Sequence, residues 1–334
     1  MKIAILDGHA INPGDLSWDA LRSMGDLEVF DRTPEDTIVL RAREAEGLLT
    51  TRAPLSAQTL AQLNRLRYVG AMFTGYNGID LKAARERNVV VTNPPTYGTA
   101  SVAQLVFALL LELCHHVALH SAATHAGEWS RSADFSFRKT PLVELQDKTM
   151  GIVGFGGIGR RVAEIATAMG MRVIAADAGK RNPPNWPGFR WCDVDELMSA
   201  ADVVRLHCPL LPETRGTINA ASLSKMKPGS FLINTSHGPL IIEQDLTDAL
   251  NRERLAGAAV DVLSSEPPSL DHPLLQAKNC IVTPHIAWAT KEARAGWIET
   301  VVANLRAFLD VRPVNVVDSI RMEPAPAERH QLER

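Results

Sequence analysis

The sequence predicts an α/β protein with two doubly wound parallel sheets, one in each of two domains. The chain has 334 residues, which exceeds the usual length of a single domain. Short apolar runs alternate with segments of helical spacing in both halves, as expected for parallel strands with helices on both faces. Near the middle of the chain, a glycine-rich turn joins a strand directly to a helix.

The first sheet is predicted from five short apolar runs. These lie at residues 2–6, 29–30, 47–50, 68–73 and 89–91. Between them, helices are predicted at 16–21, at 55–66 with Ser56 as N-cap, and at 80–87. Ligands of such sheets bind beyond the carboxyl ends of the strands. The glycine loop at 74–78 is therefore either a wall of a binding site or an ordinary turn.

Two prolines at positions 94 and 95 predict a crossover into the second domain. Beyond it, apolar residues from Val102 to Leu113 predict one long helix, on which His115, His116 and His120 follow. No carboxylate or cysteine stands at ligand spacing from these histidines, so no metal site is predicted. Residues 126–141 are too irregular for a helix or strand, and we interpret them as a candidate contact with a partner subunit.

Six further apolar runs predict the second sheet, which is the number of strands in a full dinucleotide-binding sheet. They lie at 150–153, 171–176, 202–207, 230–234, 258–262 and 280–283. A short helix is predicted at 195–200 and an amphipathic helix at 297–309. The charged, proline-containing tail predicts disorder.

The glycine turn has the spacing of a dinucleotide-binding motif. Gly154 allows a tight turn, Gly156 lets backbone approach a pyrophosphate, and Gly159 lets the helix pack on the strand. The intervening Gly157 and Ile158 lie at the start of the predicted helix, whose N-terminus attracts phosphate. The motif alone is weak, but its position between strand and helix strengthens it.

Asp177 ends the next predicted strand, close to the roughly 20-residue distance at which a carboxylate binds the adenosine ribose. The other interpretation is an Asp that caps the following helix. A carboxylate repels a 2′-phosphate, so Asp177 favours NAD over NADP as the cofactor. Lys180 and Arg181 follow closely and leave NADP as the alternative.

The composition is that of an ordinary globular protein, with 46% apolar and 22% charged residues. The net charge of −3 indicates no general attraction to nucleic acid or to an acidic membrane. The four cysteines form no C-x-x-C pair, and the N-terminus starts a strand at once without a signal peptide. We therefore expect a cytoplasmic protein with no nucleic-acid or membrane partner.

Polar residues follow the last strands of the second sheet, where an active site is expected. They are His237, Asp261, Glu266 and His285. A carboxylate such as Glu266 can fix the tautomer of an imidazole such as His285, whose other nitrogen can then exchange a proton with an alcohol or carbonyl oxygen. Singly, each residue could be an ordinary strand-end or surface residue; together with a nucleotide motif they favour chemistry.

At these motifs the sequence resembles the D-2-hydroxyacid dehydrogenase family, and is closest to its glycerate dehydrogenase (hydroxypyruvate reductase) members. The resemblance runs from Met1 to about Val317. It rests on Leu6-Asp-Gly8, Asn12-Pro-Gly-Asp-Leu-Ser-Trp18, Thr74-Gly-Tyr-Asn77, residues 94–101, Gly154 to Gly159, His207-Cys-Pro-Leu210, Asn234-Thr-Ser-His-Gly238, Asp261-Val-Leu-Ser-Ser-Glu266-Pro-Pro and Thr283-Pro-His-Ile-Ala-Trp288.

The resemblance implies a Rossmann coenzyme domain, residues 100–285, inserted in a flavodoxin-like substrate domain, residues 1–99 and 286–318, with 319–334 as a disordered tail. It implies a homodimer through the coenzyme domain. NADH would reduce a small 2-oxo acid, such as hydroxypyruvate or glyoxylate, to the D-2-hydroxy acid.

The resemblance also implies roles for individual residues. His285 is expected to be the acid/base and Glu266 its carboxylate partner. Thr74 and Gly75 are expected to bind the substrate carboxylate. Asp261 is expected beside the nicotinamide carboxamide, and His207 is assigned to the cofactor site.

One residue departs from the family pattern. The family has Arg where this chain has His237, and that Arg grips the substrate carboxylate and polarises the carbonyl. Imidazole lacks the five-donor fork of arginine and is largely neutral at pH 7. His237 is kept as a catalytic and substrate-binding candidate. The alternative is an NAD(H)-binding regulatory protein that has the fold without the turnover.

Overall fold

The computed structural model of the protein describes residues 1–72, 78–179 and 182–317. The chain divides into two compact units. The first comprises Met1–Tyr97 together with the chain from Lys291, and the second is Gly98–Thr290. The tail predicted to be disordered, residues 319–334, lies outside the described residues, as do Lys180 and Arg181.

The first unit contains a five-stranded sheet in which all neighbouring strands are parallel. The strands are β1 (Lys2–Leu6), β2 (Asp26–Val29), β3 (Gly47–Thr50), β4 (Tyr68–Ala71) and β5 (Val90–Thr92). Their order is β2-β1-β3-β4-β5, the flavodoxin-like order, so the predicted fold of this unit is confirmed.

Five short helices connect these strands. They are α1 (Gly8–Ile11), α2 (Asp19–Arg22), α3 (Ile38–Ala42), α4 (Ala57–Ala61) and α5 (Leu81–Glu86). Ser56 caps α4 by accepting from the N–H of Thr59, as the sequence predicts. The helix stops earlier than predicted, because Leu63 and Leu66 reach the core through hydrogen-bonded turns and need no further helix.

The second unit contains a seven-stranded parallel sheet. Its strands are β6 (Thr149–Val153), β7 (Arg172–Ala176), β8 (Arg190–Trp191), β9 (Val203–Leu206), β10 (Phe231–Asn234), β11 (Gly257–Val260) and β12 (Cys280–Val282). The order β12-β11-β10-β9-β6-β7-β8 is that of a dinucleotide-binding sheet with one added edge strand. The prediction of six strands missed β8, which is only two residues long and follows a proline-rich stretch without periodicity.

Six helices belong to this unit. They are α6 (Thr99–His115), α7 (Val117–His125), α8 (Gly157–Ala168), α9 (Val194–Ala200), α10 (Ala220–Lys225) and α11 (Glu243–Asn251). The prediction of one continuous helix carrying His120 is wrong: His116 adopts a left-handed φ of 45°, and α7 continues at an angle of 56° to α6. The Glu112 carboxylate accepts the N–H of Val117 and so satisfies the start of α7.

Apolar clusters cover the strands of the second sheet on both faces, which explains their nearly continuous apolar sequences. None of the described helices is by itself long and apolar enough to cross a membrane, and only the bent pair α6 and α7 passes that test jointly.

The last helix, α12 (Lys291–Leu309), belongs to the first unit. Its Trp297 is fully buried and lies edge-on to Trp18, with 6.4 Å between the ring centroids. Both nitrogens of the Arg294 fork donate to the Asp15 carboxylate at 2.7 Å. The first unit is therefore built from both ends of the chain.

Candidate active site

The glycine turn between β6 and α8 has the geometry that its sequence predicts. Gly154 has a φ of 93°, and a Cβ added to it would lie 2.5 Å from the backbone nitrogen of Cys208. A Cβ on Gly159 would lie 2.4 Å from the carbonyl oxygen of Gly154. A Cβ on Gly156 would meet nothing within 4 Å, so the turn is open on the side of the helix N-terminus. This opening can admit a phosphate.

Asp177 directly follows β7, the strand beside β6, and its carboxylate binds the backbone of the glycine turn. Its Oδ2 accepts the N–H of Phe155 at 2.7 Å, and its Oδ1 accepts the N–H of Gly179 at 2.7 Å. The carboxylate is thus held at the mouth of the glycine turn, and its contact with the adenosine ribose remains a prediction. The glycine turn, the N-terminus of α8 and this carboxylate together fit a nicotinamide dinucleotide.

His207 follows β9 and packs closely against the glycine turn. Its backbone carbonyl carbon would lie 2.6 Å from a Cβ added to Gly154. Among the described residues, its buried Nε2 has no hydrogen-bond partner. Burial, together with the nearby Arg205 cation, holds the pKa of His207 well below its ordinary value, so the imidazole is neutral at pH 7. Its assignment to the cofactor site remains a prediction.

Arg205 is a buried cation that the sequence motifs did not reveal. It lies within β9, donates to the carbonyl of Ile233 at 2.9 Å and also bonds the hydroxyl of Thr235. Burial lowers the pKa of Arg205 to about 9, with the Asp261 carboxylate acting in the opposite direction, so the guanidinium remains charged at neutral pH. An Arg inside a strand is the sequence signal that could have revealed it.

His285 and Glu266 form a hydrogen-bonded pair. The Nδ1 of His285 lies 2.8 Å from Oε2 of Glu266, and the side chains are 37% and 20% exposed. The other Glu266 oxygen accepts the N–H of Leu263 at 3.1 Å. An ionised carboxylate only accepts, so the His285 proton sits on Nδ1 and Nε2 is the nitrogen that can exchange a proton with substrate. The structure therefore brings together the two residues that the sequence pairs.

Asp261 lies beneath the loop that carries His285. Its carboxylate accepts from the Thr283 hydroxyl at 2.5 Å, from the N–H of Ile286 at 2.9 Å and from the N–H of Ala287 at 2.8 Å. His285 has a left-handed φ of 56°, which a non-glycine residue adopts only when its surroundings hold it there. Asp261 is almost fully buried, and its predicted contact with the nicotinamide carboxamide remains a prediction.

His237 follows β10 and lies in the same pocket as the His285–Glu266 pair. This pocket has a volume of about 200 Å³ and is also lined by Ser236, Gly238 and Leu263. Burial and the neighbouring His285 lower the pKa of His237, so its neutral form predominates at pH 7. The buried Asn234, which the sequence placed only within a family motif, donates to the His237 carbonyl at 2.8 Å and so holds the loop.

The carboxyl ends of parallel strands explain why these residues meet. β10, β11 and β12 are neighbours in the sheet, and His237, Asp261 and His285 each follow one of them. Thr74 and Gly75, the predicted substrate-carboxylate loop, lie outside the described residues. Within the described residues, no group of three His, Cys, Asp or Glu side chains could hold a metal ion.

Comparisons with known proteins agree with this geometry. Residues 107–287 match the family model of the D-isomer specific 2-hydroxyacid dehydrogenase NAD-binding domain. The chain is 47% identical to a hydroxypyruvate reductase of Blautia hydrogenotrophica, across 95% of this chain and all of the relative. It is 35% identical to a glycerate dehydrogenase of Methylorubrum extorquens, across 86% and 90% of the two chains.

A solved structure is similar over nearly the whole chain. It is an acyclic imino acid reductase in complex with NADPH and D-Arg, with a TM-score of 0.84 and 31% identity, covering 95% of this chain and 100% of that one.

Proposed function

The chain belongs to the D-isomer specific 2-hydroxyacid dehydrogenase family, and from this premise we propose that it reduces a small 2-oxo acid, of the hydroxypyruvate or glyoxylate type, to the D-2-hydroxy acid. The observation that carries the proposal is the hydrogen bond between His285 and Glu266 at the edge of the sheet that holds the glycine turn. The relatives named above are enzymes, so the regulatory-protein alternative has no support.

In this proposal each residue of the pocket has a distinct task. A bound nicotinamide dinucleotide supplies the hydride. Protonated His285 donates from Nε2 to the carbonyl oxygen as negative charge develops there, while Glu266 holds the ring and stabilises its charged form. Asp261 keeps the His285 loop in place. His237 binds the substrate carboxylate when it is protonated. Thr74 and Gly75 keep their predicted role in carboxylate binding.

The size of the pocket supports a small substrate. Its volume of about 200 Å³ is below the range of roughly 300–1,000 Å³ that is typical for drug-sized ligands. The polar groups that line it suit a hydroxylated acid of a few carbons better than an apolar chain; they are Ser236, His237, Ser264, Glu266 and His285.

An assay of NADH oxidation over a panel of 2-oxo acids, run between pH 6 and 9, tests the proposed function. We expect turnover with hydroxypyruvate and glyoxylate, and less with branched or aromatic 2-oxo acids, because the pocket is small and polar. A matched run with His285→Ala protein measures the background. Should no 2-oxo acid support turnover above that background, the proposal is wrong.

A second candidate is the reduction of a 2-imino acid, because His237 replaces a permanent cation by a group that is neutral at pH 7. A protonated imine is positively charged, and a permanently charged arginine beside it would repel it and weaken its binding. The similarity to an imino acid reductase adds to this candidate. Adding methylamine to the 2-oxo acid assay distinguishes the two: an N-methyl amino acid product identifies the imine reaction.

Cofactor preference is expected to depend on Asp177. We expect Asp177→Asn to improve the affinity for NADPH relative to NADH by roughly tenfold, because it removes a charge that repels the 2′-phosphate. The amide oxygen can still accept the N–H of Phe155, so the glycine turn keeps that bond, and the bond from the N–H of Gly179 is lost. Fluorescence titration with both cofactors measures the ratio. Tighter native binding of NADPH than of NADH would contradict the ribose assignment.

We also propose a homodimer through the coenzyme domain and a cytoplasmic location. The segment from α7 to residue 142 exposes several large apolar side chains, which are Val117, Leu119, Trp129, Phe135 and Leu142. Such a patch indicates an interaction surface. None of the four cysteines, all of which lie in the described part of the chain, forms a disulfide bond, as expected in a reducing compartment.

The dimer is testable at Phe135, which is 92% exposed. We expect Phe135→Asp to shift the mass measured by light scattering from dimer toward monomer at micromolar concentration, because a carboxylate is strongly disfavoured in a buried apolar interface. Leu40→Asp, an equally polar change at an exposed leucine of the first unit, is the control. A native protein that is monomeric at these concentrations would contradict the proposal.

A further inference from the structure

A second His–Glu pair lies beside the loop that carries Glu266. The Nε2 of His272 lies 3.2 Å from Oε2 of Glu243, and the side chains are only 9% and 16% exposed, so this pair is more buried than His285 and Glu266. A carboxylate withdrawn from water in this way has to be hydrogen-bonded. Glu243 is the first residue of α11, where the helix dipole favours negative charge.

The other oxygen of Glu243 is bonded to the loop itself. Oε1 of Glu243 accepts the N–H of Ser264 at 2.7 Å. The preceding N–H, that of Leu263, is bonded to Oε1 of Glu266, whose Oε2 is bonded to His285. The carboxylates of Glu243 and Glu266 are therefore bonded to consecutive N–H groups of the loop, separated by a single residue, Leu263.

Gly238 packs against the same peptide. A Cβ added to Gly238 would lie 2.0 Å from the carbonyl carbon of Leu263 and 2.4 Å from the nitrogen of Ser264. The backbone of the loop thus packs closely against Gly238, the residue after His237. The loop also donates a hydrogen bond to the charged carboxylate of Glu243. A displacement of the loop would alter both the Glu266 side and the His237 side of the pocket.

His272 orients Glu243 through a defined tautomer. Its Nδ1 accepts the N–H of Leu274 at 3.3 Å, so its proton sits on Nε2 and is directed at Glu243. His272 is joined to the backbone on one side and to the carboxylate on the other. This is the arrangement expected for a group that fixes the direction of a neighbouring side chain.

We propose that Glu243, oriented by His272, is a positioning residue for Glu266 and, through Glu266, for His285. The inference rests on the proposed function, in which His285 transfers the proton. Glu243 acts through the Ser264 peptide and does not touch the reacting atoms. Its effect is on the preorganisation of the pair, which governs the rate of the chemical step more than the binding of substrate.

Glu243→Gln tests this role, because a glutamine cannot make both bonds. If its oxygen accepts the N–H of Ser264, its NH₂ group faces the Nε2–H of His272, donor against donor. Moving the His272 proton to Nδ1 would relieve that conflict but lose the bond from Leu274. We expect kcat to fall by roughly ten- to a hundredfold, with KM and NADH affinity within about twofold of native.

Glu253→Gln is the matched control. Glu253 follows α11 and is bonded to Lys278 at 2.8 Å, with its side chain 73% exposed. This variant also removes a carboxylate and an ion pair from the second unit, but Glu253 has no bond to the loop that carries Glu266. We therefore expect native kinetics. His272→Asn is the second variant: asparagine can still accept the N–H of Leu274 but is too short to hold Glu243, and kcat should fall several-fold.

A readout independent of turnover is the downfield proton NMR signal of the His285 Nδ1–H, identified by its absence in His285→Ala. We expect this signal to shift or broaden in Glu243→Gln and to stay unchanged in Glu253→Gln. A native signal and native kcat in Glu243→Gln overturn the inference. The inference is also overturned if Glu243→Gln keeps the native His285 signal and its activity falls only in proportion to the amount of folded protein. Failure of the proposed function would instead show as absent turnover in native protein.

Discussion

His285→Ala is expected to lower kcat by roughly two to four orders of magnitude, the range for loss of a general acid–base group. The expectation follows from the bond between Nδ1 and Glu266, which makes Nε2 the group that can deliver a proton. NADH affinity should remain nearly native, because the glycine turn and Asp177 belong to other strand ends of the sheet. Steady-state kinetics with a saturating 2-oxo acid, combined with fluorescence titration of NADH, measure both quantities.

Two further variants make this result specific. His120→Ala removes a histidine of α7 whose ring nitrogens are bonded to the backbone of His116 and Lys139, and it should leave turnover unchanged. Glu266→Gln keeps a side chain of the same shape but removes the charge that stabilises protonated His285, so it should move the alkaline limb of the pH–rate profile for reduction to lower pH. Near-native turnover of His285→Ala would remove this residue from the mechanism.

The second large effect concerns His237 and pH. Burial and His285 both lower the pKa of His237 from its ordinary value of about 6.5. At pH 8 this group is therefore almost entirely neutral, and its protonated fraction grows as the pH falls. If the cation holds the substrate carboxylate, catalytic efficiency should rise toward pH 6, mostly through a lower KM.

His237→Arg should remove this dependence, because a guanidinium is charged at every working pH. We expect the variant to exceed the native catalytic efficiency at pH 8 by at least about tenfold, because native His237 is almost entirely neutral at that pH. Simple damage cannot produce such a gain. His237→Gln is the control: it should resemble native protein at pH 8 and lack the increase at low pH.

The same variants discriminate between the two candidate substrates. A fixed arginine should favour a 2-oxo acid and oppose a protonated imine, so the two activities should change in opposite directions. An Arg variant that is no better than native protein with every 2-oxo acid would end the carboxylate-binding role of position 237 and bring the imine reaction forward.

Most strands were predictable because buried parallel strands are short apolar runs between clear breaks, as at β3 and β10. The strand β8 could not be predicted, because its residues show no strand pattern of their own. It is a strand only because it pairs with β7. The continuous helix predicted through His120 failed for a similar reason. Apolar spacing continues past His116, but the left-handed backbone there depends on a tertiary environment and on the Glu112 bond.

The proposed proton-transfer pair could be anticipated because strand order brings the residues after β11 and β12 together. The contacts that support the pair could not. Neither Glu243 nor His272 belongs to a recognisable motif. In the sequence, Glu243 reads as an ordinary acidic residue at a helix N-terminus and His272 as an ordinary helix cap. Arg205 likewise became interpretable only when its partners were known: Ile233 lies on the neighbouring strand β10, and Thr235 directly follows that strand.

The discontinuity of the first unit has a consequence for synthesis of the chain. Trp297 and Arg294 complete the environment of Trp18 and Asp15, but roughly 190 residues of the second unit must be translated before α12 emerges. At typical rates of about 5–20 residues per second, this delay is roughly 10–40 s. During that interval the nascent first unit exposes apolar surface that only the last helix can cover. We therefore expect the first unit to be more prone to aggregation during synthesis than the second unit, which is continuous in sequence.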